Sequence, residues 1–206
     1  MKRLCAVVVV VCFVLLFALC SKPVQSFKFF SFKRKKAYDI RKFLNTEEPI
    51  WTYNTTKRTN VWCEVNVKHN FTDTSIFFTR SSYDRKGRTT ALLEGKFVSD
   101  RKKHMDTSSP DGVYMLNEDI VYMSDDHGCA VIAVTSSFDG QEETFDLRVR
   151  NSSLTSGITE KCKRKFSKRV PEGQIIYKPL CQRILDRGQL VVGKTEQIPT
   201  PVVVPS

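Results

Sequence analysis

The chain has 206 residues, of which 33 are Lys or Arg and 22 Asp or Glu, giving a net charge of +11. That balance is basic without being extreme, and much of the excess sits in FKFFSFKRKK (27–36) and KCKRKFSKR (161–169), runs that read as solvated faces or tails and not as a nucleic-acid-binding body. KRKK in the first run has the composition of a nuclear localisation signal, but the secretory segment ahead of it excludes that address.

Lys2 and Arg3 precede LCAVVVVVCFVLLFAL (4–19), a charge-free run. It is short for a membrane span of about 20 residues and suits the apolar region of a signal peptide. Ala18, Cys20 and Ser26 supply small or short residues, so cleavage is expected after Cys20 or after Ser26, with Ser26 preferred. Leu19 is too large to precede a lipidated cysteine. Removing residues 1–26 takes away Lys2, Arg3 and Lys22 and lowers the net charge from +11 to +8. It also removes Cys5, Cys12 and Cys20, leaving Cys63, Cys129, Cys162 and Cys181. An even set in an exported chain reads as a disulfide framework, with all three pairings open to it. No cysteine pair has the spacing of a zinc knuckle, and His69, His104 and His127 are scattered, so no metal or cofactor is expected. Sequons at Asn54, Asn70 and Asn151 fit a secreted, extracellular glycoprotein.

Residues 27–37 form a basic leader. AYDIRKFLN (37–45) then reads as a short helix with Ile40, Phe43 and Leu44 on one side, stopped by Pro49. Strands are expected at 50–56, 61–69, 75–80, 90–98, 112–117, 119–124, 129–136 and 144–150, separated by turn chemistry in DRKG, SSPDG, SDDHG and FDGQ. Eight short strands at this spacing predict an all-β sandwich or up-and-down barrel. SGITEKCKRKFSKRV (156–170) interrupts them with Ile158, Cys162 and Phe166 on one helical face. QIIY (174–177) and KPLCQRIL (178–185) complete a single domain over 38–185, and the Pro-rich stretch 186–206 lacks periodicity and reads as a disordered tail.

The chain has no GxSxG, no HExxH and no Gly-rich strand-to-helix turn, so it is not read as an enzyme. Adjacent acids such as Glu47 with Glu48, or Glu142 with Glu143, point to opposite sides of an extended backbone and make poor acid–base pairs.

The order signal peptide, short helix, eight strands, helix and final cysteine resembles the tick salivary lipocalins, the family of the histamine-binding proteins. The resemblance is carried by YDIRKFLN, by PIWTY, by VYMSDDHGCAVIAV, and by FDLRVRNSS followed by Cys162. It implies an all-β fold with minor α: an eight-stranded antiparallel lipocalin-type barrel with a short N-terminal helix and a C-terminal helix packed on it. It also implies the pairings Cys63–Cys181 and Cys129–Cys162. The implied function is sequestration of a small host mediator, histamine or another biogenic amine, by a monomer that dampens host defence. An anionic lipid mediator such as an eicosanoid is the alternative ligand. A host-protein-binding barrel with a collapsed cavity is a further alternative, and the basic runs leave a glycosaminoglycan or anionic membrane as a possible contact.

Amine-binding members of that family carry Cys-Asp-Val, then Glu-Leu-Trp, then Cys. The matching residues here are Cys129-Ala130-Val131, Asp146-Leu147-Arg148 and Cys162, so one acid is lost and an arginine replaces an aromatic ring. Asp119 matches another acidic position of the amine binders. The ligand-binding candidates are therefore Asp146, Arg148, Asp119, Trp51 and Tyr53. In TFDLRVR (144–150), alternation puts Asp146 and Arg148 on one face and Phe145, Leu147 and Val149 on the other, and a barrel would turn the charged face inward. Arg148 then either neutralises Asp146 or offers its fork to a ligand anion.

Overall fold

The computed structural model describes residues 37–113, 115–137, 142–169 and 172–189; the expected signal peptide and most of the leader, the FDGQ turn and most of the expected tail lie outside them. After helix α1 (Ile40–Leu44) come β1 (Ile50–Thr55), β2 (Trp62–Phe71), β3 (Ser75–Asp84), β4 (Gly87–Phe97), β5 (His104–Ser108), β6 (Met115–Met123), β7 (Cys129–Ser136) and β8 (Glu143–Arg150). Helices α2 (Asn151–Ser156) and α3 (Glu160–Ser167), the two-residue β9 (Gln174–Ile175), a 3₁₀ turn (Pro179–Gln182) and α4 (Arg183–Gln189) follow. Each of the first eight strands pairs antiparallel with its neighbour in sequence, and β1 pairs with both β8 and β2, which closes the sheet into an eight-stranded barrel.

Two of the expected strands were in fact one. The segments 112–117 and 119–124, expected as two strands, meet in the single strand Met115–Met123; the eighth strand is His104–Ser108, in a stretch with no expected element. The acids Glu118 and Asp119 look like a break between strands because a charge inside a sheet is costly unless it is paired. Here both are paired, on opposite faces of β6. β5 was hidden for a related reason. Its buried positions are His104, Met105 and Thr107, too polar a set to resemble a core strand.

One end of the barrel is sealed. Asp39 caps α1 by accepting from the Arg41 N–H at 3.1 Å, and Ile40, Phe43 and Leu44 plug the barrel against Ile50, Ile76, Phe78, Leu93, Met105 and Ile120. Gly95 is needed in this layer, because a Cβ there would strike the Met105 sulfur and touch Ile76. The Arg150 guanidinium donates to the carbonyl oxygens of Phe43 at 2.7 Å and Lys42 at 2.9 Å, satisfying the end of α1. The space left at this end is only about 10 Å³.

The outer wall is covered on two sides. Cys162 and Phe166 of α3 pack on Val131, Leu147 and Val149, and the Cys129–Cys162 disulfide joins the helix to β7. The C-terminal segment lies over Trp51 and Val65 and is held by Cys63–Cys181. These are the two pairings the resemblance implies.

Candidate functional site

Strand alternation turns five charged side chains into the middle of the barrel. β3 sends Ile76 and Phe78 into the sealed core and Arg80 into the next layer; β6 does the same with Ile120 and Glu118, and β8 contributes Asp146 and Arg148. Glu64 of β2 stands beside them, its Oε1 accepting from the Thr52 hydroxyl at 2.7 Å. Glu118 is fully buried and spends both oxygens on cations: Oε2 accepts from Arg148 Nη1 at 2.6 Å and Oε1 from Arg80 Nη2 at 3.0 Å. Arg148 also donates from Nη2 and Nε to Asp146 Oδ2, at 3.0 and 3.3 Å. Arg80 Nε donates to Asn66 Oδ1 at 2.9 Å. The result is a polar belt across the barrel, with its buried charges paired as a low-dielectric interior requires.

The carboxyls of the belt differ in their electrostatics. Burial is the largest influence on Glu118 and opposes its ionisation, but Arg148 and Arg80 together outweigh it and hold the group down to about 2. Burial likewise dominates at Asp146; Arg148 counteracts it, Glu64 adds like-charge repulsion, and the carboxyl is left above its ordinary value. Arg148 stays a cation because Glu118 and Asp146 outweigh its own desolvation.

Above the belt the barrel is open. A cavity of about 390 Å³ reaches from Arg80, Arg148, Asp146 and Glu64 past Thr52, Thr55, Ser82 and Thr144 to a rim that includes Lys57, Arg58 and Glu142. Its polar side chains outnumber its apolar ones, which include Leu116, Val134 and Ile176. Within the belt two arginines stand against three carboxylates, one acid in excess when all are ionised, whereas at the rim Lys57 and Arg58 outnumber Glu142. Among the described residues Glu64 makes no ion pair.

Of the residues proposed from sequence, Asp146 and Arg148 face this cavity, and Phe145, Leu147 and Val149 face the outer layer beneath α3. Trp51 and Tyr53 do not reach it. Trp51 is wholly buried on the outer side, edge-on to Tyr177 at 5.1 Å, with its indole N–H donating to Asn151 Oδ1 at 2.9 Å. Tyr53 lies on the same side, 6.0 Å from Tyr177. They are the out-facing partners of the in-facing Ile50 and Thr52. Asp119 is also outside, where its Oδ2 meets His104 Nδ1 at 3.1 Å; the inward acid of β6 is its neighbour Glu118. Sequence reasoning missed Glu118, Arg80 and Glu64. Extending the alternation of Ile76 and Phe78 by two residues would have found Arg80, and stepping back two from Ile120 would have found Glu118.

The sequons also differ in setting. Asn70 is exposed, whereas Asn151 is half-buried and its Oδ1 accepts from Trp51 and Gln182; the Asn54 Oδ1 is buried.

A closed eight-stranded barrel with one end plugged by an N-terminal helix, the other open to a cavity, and a helix on its wall is the lipocalin fold. Consistent with this, the structure is similar to japanin from Rhipicephalus appendiculatus, a protein seen bound to cholesterol, with a TM-score of 0.50 over 64% of this chain and 92% of that one, at 12% identity. The siderocalin Ex-FABP aligns with a TM-score of 0.46 and 14% identity over 59% of this chain and 82% of its own, and a bovine odorant-binding protein variant with 0.43 and 14% over 74% and 97%. No protein-family model and no curated protein matches the sequence.

Proposed function

We propose that the protein is a secreted, non-enzymatic lipocalin that sequesters a small mediator bearing an ammonium group, histamine or another biogenic amine, in the outer half of its barrel. The observation that carries this reading is the one-acid surplus of the belt at the floor of the cavity. The Arg148 fork is spent on Glu118 and Asp146, so it has little left to offer a ligand anion, while Glu64 makes no ion pair among the described residues and acts on Arg148 only through the longer-range field. Burying a cation against unmatched carboxylates repays part of its desolvation. A volume of about 390 Å³ suits a small molecule and falls in the range of ordinary ligand pockets. The open cavity also weakens the case for a collapsed, protein-docking barrel. The two disulfides support an oxidising, extracellular setting.

An anionic lipid mediator is the second reading, favoured by Lys57 and Arg58 at the rim. Titration calorimetry against histamine, serotonin and a panel of leukotrienes separates the two. Amines are expected to bind with one site per chain and leukotrienes not at all. Binding of leukotrienes alone would transfer the function to the second reading, and silence from every ligand would remove both.

A further inference from the structure

We propose that α3 is a docking face for a sulfated polysaccharide, independent of the cavity. Between Lys161 and Arg169 the chain places six basic side chains, Lys161, Lys163, Arg164, Lys165, Lys168 and Arg169, all exposed. The helix cannot turn them away, because Cys162 and Phe166 are buried in the barrel wall, the disulfide to Cys129 fixes its rotation, and Thr159 caps its start by accepting from the Cys162 N–H. Arg164 stands opposite that buried stripe, and Lys161 and Lys168, three residues before it and four after, line up with it along the axis.

Local acids do little to neutralise this row. Glu160 pairs with Lys163 at 2.8 Å and Asp125 approaches Lys161 at 3.8 Å, both at the N-terminal end of the helix. Among the described residues Arg164 and Lys168 meet no carboxylate. Lys165 and Arg169 flank the row, each over a ring, Tyr122 at 5.8 Å and Phe145 at 5.9 Å, a contact that orders their stems without cancelling their charge.

The partner's chemistry follows from what the helix lacks. Interfacial membrane helices insert an apolar face, and the apolar face of α3 is already consumed by the barrel, so only a rigid row of cations is on offer. Such a row fits a flexible chain of closely spaced anions. The disulfides place that chain outside the reducing cell interior, which favours sulfated polysaccharide over nucleic acid.

The test uses the full, oxidised protein on immobilised heparin in a salt gradient, with titration of a heparin oligosaccharide in solution. Arg164→Glu/Lys168→Glu is compared with Lys86→Glu/Arg88→Glu, which makes the same charge change at exposed sites on the β3–β4 hairpin, on strands other than the three beneath α3. The α3 variant should bind at least tenfold more weakly near physiological salt, elute earlier, and show a shallower dependence of affinity on salt, while the hairpin variant stays close to the parent. Both should keep the parental melting temperature and amine binding, which separates failure of this inference from failure of the cavity reading. Equal retention of the two variants would overturn the proposal. So would no retention of the parent, or equally tight binding to anionic phospholipid vesicles.

Discussion

Arg148 decides the character of the barrel interior because three of its nitrogens are committed to two acids. Removing the guanidinium in Arg148→Ala leaves Asp146 without a cation and Glu118 with Arg80 alone. Losing one partner of a buried charge network costs about 3–5 kcal/mol, so urea unfolding should show a loss of that order. The same variant should bind amines more tightly, since a buried carboxylate is released; weaker amine binding together with loss of an anionic ligand would show that Arg148 contacts the ligand itself. Asp146 adds a pH signature. Its carboxyl titrates above the ordinary range, and only the ionised form attracts an ammonium group. Affinity for serotonin should therefore fall as the pH is lowered through that raised value, and Asp146→Asn should be weak and nearly pH-independent. Glu118 acts in the opposite sense on stability. Its folded value of about 2 lies below its ordinary 4.5, so its contribution is complete above 4.5 and is lost as the pH falls toward 2. Denaturation at stepped pH should show this acid limb flattened in Glu118→Gln, at the expense of stability near neutrality.

At the scale of elements, β6 shows how charge patterning misleads a local reading. Leu116, Glu118 and Ile120 face inward, and Asp119 between them is tied to His104 on the outside. A reader of NED sees a turn; the sheet sees two satisfied acids. The disulfides tie the C-terminal elements to this sheet with unequal leverage. Cys63–Cys181 closes a separation of 118 residues and Cys129–Cys162 one of 33, for which chain entropy predicts about 5 and about 4 kcal/mol. Cys129→Ser/Cys162→Ser should lower the unfolding free energy by up to the smaller figure. It should also free α3 first, visible as faster hydrogen exchange at residues 160–167 than in the strands.

For the whole molecule, the polar belt divides one barrel into two compartments, a plugged apolar end and an open polar one. A ligand of the proposed kind would therefore fit only in the outer half, and filling that half should abolish binding without unfolding the protein. Ser82 lines the cavity, on the inward row of β3 with Ile76, Phe78 and Arg80. Ser82→Trp should abolish amine binding in calorimetry while leaving the melting temperature within a few degrees of the parent. Retained affinity would mean that the ligand binds elsewhere.

Period-two alternation was enough to find most of the strands and to put Asp146 and Arg148 on one face, because side-chain direction along a strand is a local property. The even cysteine set likewise pointed to disulfides, and the spacing of Cys162 and Phe166 to a helix lying on the barrel, although that helix is shorter than the expected 156–170 and begins after Ile158, at Glu160. Which charges meet was not local. Glu118 lies 30 residues from Arg148 and 38 from Arg80. Only closure of the sheet, through β1 pairing with both β8 and β2, brings these strands around one axis and turns their inward rows toward each other. The same closure sent Trp51, Tyr53 and Asp119 to the outside. A one-residue difference in position exchanges the faces of a strand, and inter-strand register, set by the tertiary fold, decides which face becomes the cavity.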